Sequence, residues 1–305
     1  MNIIPNTICG SDKKNNYKFN IIISTYNRPM ALSRAIQSIL AQTHQDFKII
    51  VSDDASYENI EDAVRGLNDK RISYIRNTKK SGLSATRNAA MRLCEGEYLI
   101  FMDDDITLKN NFLEVLEQIT NNNKAGVFCP RILDPDTDEP FTKLLNTKSK
   151  YLGRLDFNYF LGGNHILNNR IAKKAGFYDE RFGVSSRYHA AEESDYFFRL
   201  KRSGERVLYC PELIAYHPRE QDMPGWKAFN YSYGISAMLA KQISLDPLHS
   251  YLYILIILRR LIISLLRSLQ YTFFPKSIQA KNKIYKYSYF FKGTLKGIFD
   301  YLRLG

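Results

Sequence analysis

Three carboxylates, Asp103, Asp104 and Asp105, stand side by side in the sequence. Adjacent negative charges repel one another, so their natural companion is a divalent cation that takes oxygen ligands. The five residues before them, Tyr98 to Met102, are apolar or aromatic and too few for a helix. They read as a buried strand. A cation held at that strand's carboxyl end would lie where open α/β sheets keep their ligands. The competing explanation is an acidic turn whose Asp side chains cap the next helix.

The elements upstream decide what could share that crevice. Phe19 to Ser24 is an apolar run ending in Ser24-Thr-Tyr-Asn-Arg-Pro29. Pro29 suits a first helical turn, and Leu32, Ala35, Ile36, Ile39 and Leu40 continue at helical spacing. Phe47 to Val51 reads as a second strand, closed by Ser52-Asp-Asp-Ala-Ser56. A helix over about 57–68 and a strand near Ile72 to Ile75 follow. Ser81 then caps a helix of small residues running to about Cys94, which can approach the sheet or a ligand closely. Strand, helix and strand joined by short connections predict a parallel sheet with right-handed crossovers. The ends of the first, second and fourth strands all carry polar residues, and that convergence predicts a site.

Downstream the pattern is sparser. A helix near Asn111 to Ile119, a strand near Val127, a loop or lid over 134–158 and an apolar segment from Gly162 are expected. Ala190 to Leu200 reads as a loop entering a helix with acidic residues in its first turn. A last strand spans Val207 to Tyr209, and Tyr216-His-Pro218 follows another short apolar run.

The 305 residues carry a net charge of +12 with 45% hydrophobic content, enough for one large α/β domain and an appendage. Ten Lys or Arg against two acids from Asp246 onward put a net +8 in the tail and leave +4 in the first 245 residues. Cys9, Cys94, Cys129 and Cys210 are scattered without a C-x-x-C pair. We therefore expect reduced thiols, no signal peptide and a cytoplasmic location.

Seven motifs in order resemble the inverting family 2 nucleotide-sugar glycosyltransferases: Ser24 to Pro29, Asp53 to Ser56, Gly82 to Asn88, Phe101 to Asp105, Gly162-Gly-Asn164, Gly176 to Glu180, and Glu192-Glu-Ser-Asp195. The resemblance covers about two-thirds of the chain, from Phe19 to Pro218. It implies an α/β GT-A fold, Rossmann-like, with a mostly parallel central sheet and flanking helices. It divides the chain into a polar arm over 1–18, a catalytic domain over 19–220 and C-terminal helices over 221–305. Within the catalytic domain, 19–106 would bind the nucleotide and 107–220 the acceptor.

The resemblance also implies roles. Tyr26 would lie against a nucleobase, Asp54 would accept its imide N–H, and Asp53 would help through the ribose. Thr25, Arg28, Arg87 and Asp104 complete the nucleotide-sugar contacts. Asp103 and Asp105 match the D-x-D pair, with Asp105 as direct ligand of Mn2+ or Mg2+ and His217 beside it. The donor would be a sugar on a nucleoside diphosphate, of UDP or dTDP type. The base that takes the acceptor's proton falls by register on Glu193, where the family has Asp, with Glu192 second. Gly163, Asn164 and Asp195 would meet the acceptor, a glycan or lipid-linked hydroxyl in cell-surface polysaccharide synthesis. Asp195 has a plainer reading as an ion pair with Arg199. His165 and His189 rank below His217. Because Glu193 departs from the pattern, a catalytically silent relative that binds glycan or nucleotide is the alternative. A sugar nucleotidyltransferase would need an Arg-bearing glycine-rich loop after the first strand, which is missing.

In the tail, Tyr251 to Leu258 is apolar, but Arg259 and Arg260 interrupt it before the ~20 residues that a membrane span requires. On a helix, Arg260, Ser264, Arg267 and Ser268 form a narrow polar stripe opposite a wide apolar face. Residues 251–304 thus suit an anionic membrane surface, peripheral on the inner face of the cell membrane. Packing on the catalytic domain or on a second copy of the chain is the competing use of these faces. No nucleic-acid-binding motif appears, and nucleic acid is not an expected partner.

Overall fold

The computed structural model describes residues 17–141, 147–160, 163–219, 223–273 and 279–304. The polar arm up to residue 16 and Gly162 lie outside the described residues. The chain divides into two units: one holds 1–178 and 196–219, the other 179–195 and 220–305.

The first unit is built on a sheet. Its elements run β1 (Phe19–Thr25), α1 (Pro29–Leu40), β2 (Phe47–Asp53), α2 (Ile60–Arg65), β3 (Ile72–Arg76), α3 (Leu83–Met91) and β4 (Tyr98–Asp103). Then come β5 (Thr107–Leu108), α4 (Phe112–Asn122), β6 (Val127–Leu133), β7 (Lys150–Tyr151), a 3-10 turn at Arg154–Tyr159, β8 (His165–Asn168) and α5 (Asn169–Ala175). Helix α6 (Glu192–Arg202) leads to β9 (Val207–Tyr216). The strand order is β3-β2-β1-β4-β8-β6-β9-β5, with β7 paired to β9.

Strands β3, β2, β1 and β4 are all parallel. All seven residues of β1 are buried, as the continuous apolar run of a parallel strand covered on both faces requires. Beyond β4 the pairing alternates: β8 runs antiparallel to β4 and β6, and β6 runs parallel to β9. The expected lid region contributes β7 and the 3-10 turn among its described residues. The expected short strand at Val207 extends to Tyr216 through a register shift opposite Pro130/Arg131. Proline lacks the N–H that a regular ladder needs there.

Helix α2 is shorter than its apolar pattern suggested. The Asn59 side chain accepts from Asp62 N–H and starts it late, and Gly66 follows its last residue. Helix α3 is polar yet buried, with Ser84, Thr86, Arg87, Asn88 and Ala90 turned inward. Distant segments pair with several of its polar groups: Ser52 Oγ donates to Thr86 O at 2.8 Å, and Asn88 exchanges two hydrogen bonds with the Tyr178 backbone. Cys94, Cys129 and Cys210 are buried free thiols.

The second unit is helical, with α7 (Gly225–Leu245), a 3-10 turn at Pro247–His249, α8 (Ser250–Phe273) and α9 (Gln279–Leu304). Glycines let α9 lie close along α7: a Cβ on Gly297 would fall 2.3 Å from Tyr233 O, and one on Gly293 2.6 Å from Phe229 O. Among the described residues, no helix is long and apolar enough to cross a membrane.

Candidate functional site

Register brings the first unit's polar strand ends into line. Thr25 of β1 pairs with Asp53 of β2, and Ser24 pairs with both Ser52 and Asp103 of β4. Chain order reverses at β1, because β2 and β4 lie on opposite sides of it. Side chains at the carboxyl ends of these three strands therefore gather at a topological switch point.

The loops leaving β1 and β2 are pinned to each other. Asn27 N–H donates to Ser56 Oγ at 2.8 Å, and Asn27 Oδ1 accepts from Tyr57 N–H at 2.9 Å. Asn27 and Ala55 both take positive φ, 57° and 60°, a conformation costly to a β-carbon-bearing residue and held here by those bonds. Tyr26 is half-buried, with Lys80 Nζ 3.9 Å from its ring centroid and Tyr57 edge-on at 6.4 Å.

Asp53 and Asp54 are engaged from within the protein. Asp53, fully buried, accepts from Ser56 N–H and Oγ–H and from the Tyr74 hydroxyl, with Arg76 at 3.6 Å. Burial and the charge of Asp53 raise the Tyr74 hydroxyl well above its ordinary pKa. Asp54, 5% exposed, accepts from Asn77 Nδ2, Ser81 N–H and Gly82 N–H at 2.7–3.0 Å. It thereby fixes the turn that opens α3, where Gly82 has φ of 90°.

The acidic triplet faces two guanidiniums. Arg28 Nη1 lies 3.1 Å from Asp104 Oδ1 and 2.8 Å from Asp105 Oδ2. Thr25 Oγ1 donates to Asp104 Oδ2 at 2.7 Å. Arg87, 1% exposed, donates through Nη2 to Asp103 Oδ1 at 2.8 Å and lies against the Tyr178 ring. Gly163, at φ +61°, presses on Asp103 so closely that a Cβ would sit 2.1 Å from its Cγ. Three carboxylates against two guanidiniums leave one negative charge over.

That remaining charge has a definite address. Asp105 Oδ1 is buried with no hydrogen-bond partner among the described residues. His217 Nε2 stands 3.5 Å from it, too far for a good hydrogen bond. His217 Nδ1 donates to Pro218 O at 2.8 Å, so in a neutral ring Nε2 turns its lone pair towards the carboxylate. A proton or a metal cation between them would relieve that arrangement. Among the described residues no three His, Cys, Asp or Glu side chains form a cage of their own. Mn2+ or Mg2+ can take one or two protein ligands and the rest from substrate phosphates and water. The donor set fits such an ion.

Asn164 adjoins this corner. It is 1% exposed, and neither side-chain amide atom has a hydrogen-bond partner among the described residues. A buried, unsatisfied amide costs about 1–3 kcal/mol unless something supplies its bonds. His165 is stacked on Phe101 and hydrogen-bonded to the Tyr178 hydroxyl. Burial, with Arg87 nearby, holds its pKa well below the usual histidine value. A permanently neutral ring there is a packing element.

The second unit carries the remaining candidates. Glu192 and Glu193 are both buried in the first turn of α6, just after Ala191 at φ 73°. Asp195, 1% exposed, pairs with Lys241 at 2.7 Å and accepts from Gln242 at 3.2 Å. Lys241 also holds Asp179, which pairs with Arg181. Burial pulls Asp179 upward, but the hydrogen bonds from Arg181 and Lys241 outweigh it and hold the carboxyl far below its ordinary value.

Several partners had no sequence signal. Asn77 and Tyr74, which satisfy Asp54 and Asp53, lie just after and in the middle of an unremarkable short strand. Lys241 sits in a helix that reads only as part of a basic tail.

The model of glycosyl transferase family 2 matches residues 20–184. The Escherichia coli protein WcaA, whose name assigns it provisionally to colanic acid biosynthesis as a glycosyl transferase, is 31% identical over 195 residues. That match covers 61% of this chain and 67% of WcaA. A Campylobacter jejuni enzyme named GalNAc(5)-diNAcBac-PP-undecaprenol beta-1,3-glucosyltransferase is 38% identical over 114 residues, 36% of this chain and 37% of its own. Longer relatives are matched over a smaller share; Pasteurella multocida hyaluronan synthase is 28% identical, over 25% of its length. Among solved structures, the Pyrobaculum calidifontis mannosyltransferase PcManGT in complex with GDP-Man and Mn2+ superposes with a TM-score of 0.65 at 13% identity. It covers 96% of this chain and 90% of that one. Staphylococcus aureus TarS 1-349 in complex with UDP-GlcNAc gives 0.63, also at 13% identity, over 94% and 92%. At such identity the likeness shows the fold alone, which is GT-A.

Proposed function

Because this chain belongs to glycosyl transferase family 2, we propose that it is a metal-dependent, inverting enzyme. It moves a sugar from a nucleoside diphosphate of UDP or dTDP type to a hydroxyl of a glycan or lipid-linked acceptor. The observation that carries this reading is the unpartnered Asp105 Oδ1 facing His217 Nε2 beside Asp103 and Asp104. The complex of the Pyrobaculum neighbour with GDP-Man and Mn2+ supports a divalent ion here.

The chain's own residues divide the work. Tyr26 offers a ring face to the nucleobase, with Lys80 over it. Asp53 and Asp54 hold the loops that frame the nucleotide, and the carboxylate lone pairs left over by internal donors remain for ribose and base. Arg87 fixes Asp103, and Arg28 bridges Asp104 and Asp105. Asp105, with His217 beside it, would hold Mn2+ or Mg2+, and Asp103 would turn to the ribose or the ion; the ion when bound stabilises negative charge on the departing diphosphate. Glu193 is the proposed base, taking the acceptor hydroxyl's proton as that oxygen attacks the sugar, with Glu192 second. Gly163 and Asn164 are proposed to meet substrate, the Asn164 amide gaining its missing bonds; Asp195 stiffens the segment that carries Glu193.

The names of the WcaA and Campylobacter relatives support a role in polysaccharide or lipid-linked glycan synthesis, which we place at the inner face of the cell membrane. The test is donor hydrolysis and transfer with Mn2+, in wild type and Glu193→Gln. Turnover by wild type that is lost in the variant supports the reading. Absence of turnover from both, with nucleotide still bound, would instead make the chain a silent binding module. A thermal-shift screen of nucleotide sugars identifies the donor, since a preferred ligand raises the melting temperature by mass action.

A further inference from the structure

Helix α8 wears its apolar side outward. Leu255, Leu258, Ile262, Leu266, Leu269 and Phe273 recur at three- and four-residue steps, and each is between 43% and 71% exposed. At 3.6 residues per turn they lie on about a quarter of the helix circumference, a stripe that no charged residue interrupts. The inward side is mixed, with Ile257 buried beside polar residues. Ser264 and Tyr253 are buried, Tyr253 donating to Asp246. Arg260 Nη2 donates to Ser232 of α7 at 3.2 Å, and Arg267 Nη1 to the Tyr287 hydroxyl of α9 at 2.6 Å. Helix α9 shows the same feature on a smaller scale, with Leu295, Phe299 and Leu302 exposed.

A 24-residue helix is about 36 Å long, and so long an aliphatic ridge marks an interaction surface. Charge selects the occupant. The chain from Asp246 onward is net +8. No acid lies on α8, and the single acid of α9, Asp300, is held by Lys296 and the Tyr233 hydroxyl. A second copy would bring +8 against +8, whereas an anionic lipid surface brings the opposite sign. Arg259, Arg260 and Arg267 break the apolar run too often for it to span a bilayer. We infer that α8 lies in the plane of an anionic membrane, its Leu255-to-Phe273 stripe in the acyl boundary and exposed Arg259 at the level of the lipid phosphates. The membrane is thus read from a face the fold turns outward, and the inference stands independently of the proposed reaction.

The test is flotation of the full chain with phosphatidylcholine vesicles made with and without phosphatidylglycerol. Wild type should float with the anionic vesicles, weakly with the neutral ones, and less as salt rises. Leu258→Asp combined with Leu266→Asp should cut the partition by about tenfold or more, and Arg259→Gln by roughly fivefold, with nucleotide binding unchanged. If the double variant does not fold, Ile262→Trp in a Trp226→Phe background replaces it, and its emission should shift to the blue on anionic vesicles only. No flotation of wild type, equal flotation on neutral vesicles, flotation undiminished in the double variant, or an unshifted emission from the Ile262→Trp variant would overturn the inference. So would a wild-type dimer in sedimentation that the double variant dissolves. Vesicle binding lost with donor turnover intact strikes this inference alone; turnover lost with vesicle binding intact strikes only the transferase reading.

Discussion

Asp104 makes the acidic corner sensitive to pH in a way that can be isolated. It is 5% exposed between Thr25 and Arg28. Burial pushes its carboxyl from the ordinary 3.8 up to about 6, against the pull of Thr25's hydrogen bond and Arg28's charge. A carboxyl with a raised folded value favours the fold in its protonated form. That contribution is complete below the unfolded value of 3.8 and is lost as pH rises through about 6. The linkage relation gives wild type roughly 1.4 kcal/mol of added stability between pH 7.5 and 5.0, and roughly 2.4 kcal/mol by pH 4. Asparagine does not titrate, so the difference between wild type and Asp104→Asn isolates this group from the histidines and other acids. We expect that difference in melting temperature, measured in EDTA at a series of pH values, to move by about 3–5 °C in favour of wild type between pH 7.5 and 5.0. Thr25→Val removes the bond that holds the value down and should shift the transition to higher pH. A difference that stays flat from pH 5 to 7.5 would refute the reasoning.

Three substitutions probe the rest of the architecture. Asp54→Asn sets an amide against three internal donors and should cost about 2–3 kcal/mol of stability; nucleotide affinity lost at an unchanged melting temperature would make Asp54 a ligand and not a loop clamp. Gly163→Ala drives a methyl into the Asp103 carboxylate, so Mn2+-dependent nucleotide binding, followed by calorimetry, should weaken at least about tenfold; retained affinity would mean that Asp103 has room to move. Lys241→Met removes the ion pair of buried Asp195 and one of the two cations at half-buried Asp179 and should destabilise by about 3 kcal/mol, read by chemical denaturation; a loss under about 1 kcal/mol would show the cluster to be dispensable.

What could be read from the sequence was what local physics dictates. The apolar runs of β1, β2 and β4 and their polar ends were legible, because a parallel strand must be apolar throughout and its ligand-facing end cannot be. The acidic triplet Asp103 to Asp105 at the end of β4 was legible too, because carboxylates that follow an apolar run mark where the buried strand stops. The fine structure of the site was not. Asp53 and Asp54 look identical in the sequence, yet one is sealed by Tyr74 and Ser56 and the other clamps the Ser81–Gly82 turn. Apart from Ser56, these partners come from strands and loops more than 20 residues away, and no local pattern encodes them. Arg87 reads as a free donor fork, but packing makes it a buried brace for Asp103. In the tail the polar stripe Arg260–Ser264–Arg267 was visible; that it faces α7 and α9, with the leucines outward, depends on tertiary packing that periodicity does not specify.

The central claim is that Asp105 helps hold a divalent ion for a nucleoside diphosphate. Titrating UDP and dTDP into the protein by calorimetry, with Mn2+ or with EDTA, tests it most directly in wild type and Asp105→Asn. We expect binding in Mn2+ that weakens at least about tenfold both on chelation and in the variant. Nucleotide that binds as tightly in EDTA as in Mn2+, with Asp105→Asn matching wild type, would contradict the account.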